Sequence, residues 1–186
     1  MTGRGEILTQ STIHKEVILM KWSVRFFTAV ALALGSVTVS ANDNDVISVN
    51  RMSMELARDV ASASVEACRA QGYQVTAVVV DRAGDVQAVL RDVLAPRFTY
   101  QIARDKANAV ILSGVKSSDF RASREDIRME MNHVDGILVL EGGVPIEAAG
   151  SLLGAVGVSG APGGERDEVC ALKGIETVQE RLDFAM

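Results

Sequence analysis

Lys106 is the residue of this sequence best placed to do chemistry. It stands between Ala103 and Ala107 in a stretch of helical periodicity, and small neighbours of that kind let a lysine approach a ligand, a partner or the interior. A buried lysine loses proton affinity and can serve as a base or an imine nucleophile, whereas one paired with a carboxylate needs no reaction to explain it. Asp167 and His133 are the weaker acid–base candidates beside it. His133 is the one histidine after residue 41, in a polar stretch where solvation or a local hydrogen bond accounts for it equally well. Arg91 and Arg97, with Arg104, offer guanidinium forks for a ligand carboxylate, although a solvated surface is the ordinary place for each. Ser159 and Gly160 open the segment Gly160-Ala161-Pro162-Gly163-Gly164, which leads into a helix and has the form of an anion-binding turn. No Gly-Lys-Ser/Thr follows it, and it lacks the spacing of a dinucleotide site. Metal enzymes need clustered His, Cys or carboxylate ligands, and no Cys-x-x-Cys or comparable cluster occurs after residue 41, so no metal site is expected.

The elements that position these residues follow from periodicity. Ser53 caps a predicted helix to about Arg69, with Leu56, Val60, Ala63 and Ala67 as its stripe and Gly72 beyond its end. Residues 75–80 read as a central strand, Asp81-Arg82-Ala83-Gly84 as a turn and residues 85–90 as the hairpin partner. A second helix is predicted from Thr99 to Leu112, closed by Gly114. Residues 115–135 are polar, with a short helix expected from Ser123; an excursion of this length is usually a binding loop, a subunit contact or a lid. Three further strands are expected at 137–140, 144–147 and 152–158. The final helix opens at Glu165, with Val169, Leu172, Ile175, Val178 and Leu182 on its packed side. Short turns between adjacent strands give an α+β domain with a five-stranded antiparallel sheet.

The chain has 186 residues. Lys21 and Arg25, the apolar run 26–35 and Val39-Ser40-Ala41 have the layout of a secretory signal, too short for a stable membrane anchor. The expected organisation is an over-called extension at 1–19, a signal at 20–41, a polar leader at 42–50 and the domain at 51–184. Cleavage near Ala41 would release a periplasmic or secreted product. Of 19 Lys+Arg, four precede residue 42, and of 24 Asp+Glu, two do, so the released product carries −7. That charge disfavours nucleic acid as a partner. Cys68 and Cys170 each fall on an apolar helix face, which favours buried free thiols, while export also permits a disulfide.

The blocks Glu141-Gly142-Gly143-Val144-Pro145-Ile146 and Gly154-Ala155-Val156-Gly157-Val158-Ser159-Gly160, followed by Asp167-Glu168, resemble the GlcG/HbpS-like family, the haem-degrading or DUF336 domain. Met54-Glu55-Leu56-Ala57-Arg58, Val78-Val79-Val80-Asp81-Arg82-Ala83-Gly84 and Ile102-Ala103-Arg104-Asp105-Lys106-Ala107 resemble its N-terminal half and central helix. After Lys106-Ala107 the chain departs from the family pattern, reading Asn108-Ala109 where a threonine-alanine pair is usual. The resemblance implies profilin-like α/β/α layers, dimers or larger assemblies, and haem or a related tetrapyrrole as a possible cofactor. His133, Tyr100, Met129 and Met131 are then the haem-ligand candidates. The function expected is that of an exported, self-associating protein that binds a small molecule, either haem or another small organic anion. The alternatives are an acid–base enzyme acting on a small metabolite and an accessory protein that stabilises a periplasmic partner. Self-association is also expected from the alanine faces 57, 61, 63, 67 and 103, 107, 109, which would let two backbones approach closely.

Overall fold

A computed structural model describes residues 47–184; the stretches expected to be an upstream extension and a signal, with most of the expected polar leader, lie outside the described residues. Helix α1 (Met54–Arg69) begins where Ser53 Oγ accepts the Leu56 N–H at 3.2 Å, one of the donors a helix start leaves free. Strands β1 (Thr76–Asp81) and β2 (Val86–Arg91) form the expected hairpin. Its turn is held by Asp81 Oδ1, which accepts from the Ala83 N–H at 2.8 Å and the Asp85 N–H at 3.1 Å. Helix α2 (Thr99–Ser113) is closed by Gly114. Helices α3 (Ser117–Ser123) and α4 (Arg128–Met131) precede strands β3 (Gly143–Ala148) and β4 (Ser151–Ser159). Helices α5 (Gly164–Glu176) and α6 (Gln179–Asp183) complete the described part.

The strands pair antiparallel in the order β2-β1-β4-β3. Ala77, Val79, Val156 and Val158 face the core shared with α1 and α5, while Val78, Val80 and Ala155 pack under α2. Cover on both faces explains why β1 is apolar at successive positions and not at every second one. Helix α2 lies very close to the sheet: a Cβ on Gly157 would come within 1.9 Å of the Ala103 carbonyl oxygen. Helices α1 and α5 are joined by a disulfide between Cys68 and Cys170, both fully buried, so the favoured reading of these cysteines as free thiols is corrected.

The sheet has four strands, not the five of the profilin-like layout expected. The missing strand is 137–140, whose backbone donors are spent elsewhere. The Leu138 N–H donates to the Asp105 carbonyl at 3.1 Å, the Val139 N–H to Asn132 Oδ1 at 2.8 Å, and the Leu140 N–H to the Leu138 carbonyl at 2.9 Å. The run is apolar because Val139 joins Ala109 and Phe120 in a small separate core. Three other expectations change. Ser123 ends a helix instead of starting one. The last helix breaks after Glu176, and Val169 and Leu172 are exposed because α5 buries Asp167, Glu168, Cys170, Ala171 and Gly174 instead. The alanines at 57, 61, 103, 107 and 109 are wholly buried in the domain's own cores, which leaves only Ala63 and Ala67 partly open for contact with a second copy.

The β3–β4 hairpin turns through two residues in the left-handed region, Ala149 (φ 50°) and Gly150 (φ 72°). Asparagine tolerates that region better than alanine and is favoured at this turn position. Ala149→Asn is expected to stabilise the domain by about 0.5–1 kcal/mol, the scale of relief at one left-handed residue. Urea unfolding checks this, and an unchanged or lower midpoint would contradict the turn geometry.

Candidate functional site

The chemistry-bearing residues converge where α2, the end of β4 and the start of α5 meet. Lys106, on the face of α2 toward the sheet, is only 1 % exposed. Its Nζ donates to Asp167 Oδ2 at 2.7 Å and to the Val158 carbonyl at 3.0 Å. The other oxygen of Asp167 accepts the Ala161 N–H at 2.9 Å. The glycine-rich turn thus directs at least one of its donors to the protein's own carboxylate. Gly142, with φ 118°, passes over the pair so closely that a Cβ there would lie 2.9 Å from Lys106 Nζ and 2.8 Å from Asp167 Cβ. The backbone must turn within contact distance of the lysine, and glycine is the residue that can do so. Burial pushes the Lys106 amine below the usual lysine range, opposed by the charge of Asp167; burial likewise pushes the Asp167 carboxyl up, opposed by Lys106. To act as a base or nucleophile, Lys106 would first have to leave this ion pair.

Glu168, the next residue on α5, carries the contact outward. Its Oε1 accepts from Ser118 Oγ at 3.0 Å and Lys116 Nζ at 3.3 Å, and the charge of Glu168 holds the partly exposed Lys116 above the usual lysine range. Ser117 Oγ accepts the Gly143 N–H at 2.8 Å and donates to the Gly143 carbonyl at 3.3 Å. Helix α3 is therefore pinned to both α5 and the start of β3. Neither Glu168, Ser117 nor Ser118 is apparent as a site residue from sequence spacing. The fold brings Ser118 and Glu168 together across 50 positions, and only the Asp167-Glu168 pair itself gave a signal.

Beyond this anchor, the excursion and the C-terminal end of α2 border an open cavity of about 490 Å³. Leu112, Phe120, Ile127 and Met131 form its apolar walls, with Arg124 at the rim. Arg124 is held by Asp126 at 3.0 and 3.1 Å. Met131 is thus the haem-ligand candidate that lines a cavity. Met129 and His133 are exposed on the same excursion, while Tyr100 lies at the other end of α2, where Arg104 approaches its ring at 6.0 Å. Arg91 Nη1 donates to the Ala95 carbonyl, and Arg97 stacks on Phe98 at 4.4 Å. Ser159 is buried opposite Thr76, and Gly160 (φ 135°) passes against Gln74 and Val75. Lys106 and Asp167 are therefore brought into direct contact, while the arginines lie at the ends of β2 and α2. Among the described residues, no three His, Cys, Asp or Glu side chains group as a metal site.

Removing one partner of the buried pair leaves the other charged in a site closed to bulk solvent. Lys106→Met is expected to cost roughly 3–5 kcal/mol, while Lys106→Met with Asp167→Asn recovers part of the loss, because asparagine still accepts the Ala161 N–H without a charge. Urea unfolding of both variants checks this. A single variant within about 1 kcal/mol of the parent, the scale of an exposed pair, would contradict the burial.

Comparison with known proteins places this geometry. The family model described as "Haem degrading protein HbpS-like" matches residues 52–176. Protein GlcG of Escherichia coli strain K12 is 29% identical over 109 residues, which are 58% of this chain and 81% of GlcG. The crystal structure of HbpS superposes with a TM-score of 0.69 at 31% identity, covering 75% of this chain and 99% of HbpS. A double mutant of Streptomyces reticuli HbpS gives 0.67 at 29%, covering 77% and 98%. The PduOC:heme complex, at 21% identity and a TM-score of 0.60 over 68% of this chain and 94% of PduOC, shares the fold. The resemblance seen in the glycine-rich blocks is borne out over most of the domain, and the chain belongs to the GlcG/HbpS-like family.

Proposed function

We propose that this chain is an exported, self-associating protein that binds a small ligand, and that haem or a related tetrapyrrole is that ligand. The observation that carries the reading is the apolar cavity of about 490 Å³ with Met131 in its wall, within a family described by haem degradation. The donor set fits the group. Met131 offers a thioether to the iron, Leu112, Phe120 and Ile127 suit the flat apolar ring, and Arg124, once released from Asp126, suits a propionate. When bound, haem would supply a redox-active iron. The residues of the chain would hold its ring away from water and fix its orientation through the α3 anchor. In a haemin titration of the purified protein, a saturable change in the Soret band is expected, with Met131→Ala weakening it by about tenfold or more. Tyr100→Phe, at the other end of α2, is expected to leave the titration unchanged. The absence of a saturable change would remove haem and leave the broader reading of a small organic anion.

Export is supported by the Cys68–Cys170 disulfide, because such bonds persist in oxidising compartments. No described helix is long and apolar enough to cross a membrane. Self-association has a candidate surface in β2, which ends the sheet and exposes Val86 and Val89, an edge of the kind a second strand can extend. Mass spectrometry of protein recovered from the secreting host checks both points. The denatured chain is expected to begin at Asn42 with both cysteines oxidised, and the native ion to hold at least two chains. A product that keeps residues 1–41 with reduced cysteines would overturn export, and a native ion of one chain would overturn self-association.

A further inference from the structure

A second cavity, of about 340 Å³, lies where the start of α1 meets the β3–β4 hairpin and α6. Its lining is divided in character. Met52, Leu56, Ala148 and Leu153, each under a tenth exposed, contribute the apolar part. Arg51 and Arg181 contribute two guanidinium groups in a chain whose overall charge is negative. Arg181 is steadied by Asp59, with Nη1 at 2.7 Å from Oδ2, and its side chain remains half exposed. Arg51 makes no ion pair among the described residues.

We infer that this cavity is a binding site for a small monocarboxylate with an apolar body, its carboxylate held by Arg51 and Arg181 and its body lying against Leu56 and Leu153. The chemistry selects that class. Two guanidinium groups repel an amine and match the two oxygens of a carboxylate. The apolar remainder favours a hydrocarbon body, and Asn50 and Ser53 complete the polar side of the lining beside the two arginines. The volume is at the small end of ligand pockets and suits a chain or ring of several carbons. The site goes beyond the haem reading, because it shares no residue with the cavity around Met131.

Octanoate and octylamine, titrated separately into the isotopically labelled full chain, provide the test through amide chemical shifts. Octanoate is expected to give saturable shifts over Arg51–Leu56 and Ala148–Leu153, with octylamine giving none there. Arg51→Gln, which breaks no ion pair, is expected to weaken octanoate by about tenfold, the loss of one charge-assisted contact. Arg51→Gln with Arg181→Gln is expected to abolish the shifts while the thermal midpoint of the single variant stays at that of the parent. Equal shifts from octylamine would reduce the site to an apolar surface and overturn the proposal. So would octanoate shifts confined to Leu112–Met131, or octanoate affinity unchanged in Arg51→Gln. Only shifts confined to Leu112–Met131 would touch the cavity proposed for haem, and the haemin titration decides that reading by its own Soret change.

Discussion

Taking a lysine ammonium and a carboxylate out of water costs several kcal/mol per ion, and only close contact with each other and with further hydrogen-bonding groups offsets it. Lys106 and Asp167 meet that condition by drawing on three elements at once: α2 supplies the ammonium, α5 the carboxylate, and the end of β4 a carbonyl. The loop at Ala161 contributes an N–H as well. Much of the surrounding backbone is shaped to permit this contact. Gly142 passes over the pair with no room for a side chain, and Gly157 lets α2 lie on the sheet one turn earlier, at Ala103. The glycine-rich blocks that mark the family in sequence are, in this chain, partly the space needed to bury one lysine beside one aspartate.

Helix α5 gathers the consequences. Its first turn carries Asp167 toward the interior and Glu168 toward α3, and one turn later Cys170 is bonded to α1. A displacement of α5 would therefore be felt in the α2 contact, in the anchor of the excursion that walls the larger cavity, and in the packing against α1. These contacts also explain why the buried face of α5 is polar and small-sided where an amphipathic stripe would ordinarily be greasy.

What the residues alone disclosed was local. Ser53 before a periodic run, the Asp81–Gly84 turn and Gly114 after α2 each carry their own geometry, and those boundaries agree with the structure. The α+β class with antiparallel pairing was legible for the same reason. What was hidden depended on partners distant in sequence. Residues 137–140 are apolar like a strand, yet Asp105 and Asn132 take up their backbone donors. Lys106 and Asp167 each stood out by type, but nothing in their spacing showed that they satisfy one another across 61 positions. Alanine faces read as surfaces for a second copy proved to be mostly the means by which α1 and α2 approach their own sheet.

The Cys68–Cys170 bond closes a loop of 102 positions, and both its sulfurs lie out of reach of solvent. A thiol reagent must attack a sulfur along its bond axis, so the native fold itself shields the link, and reduction has to wait for α1 and α5 to part. In the chain-entropy picture a loop of this size restrains the opened chain by roughly 4–5 kcal/mol, so that parting is also made rarer by the bond it would expose. Once α5 has docked and the cysteines have joined, the survival of the protein in a reducing or proteolytic environment is governed by how often the domain opens, and little by how much reductant surrounds it. The bond serves as a timer on the lifetime of the molecule, set by the clock of its own unfolding.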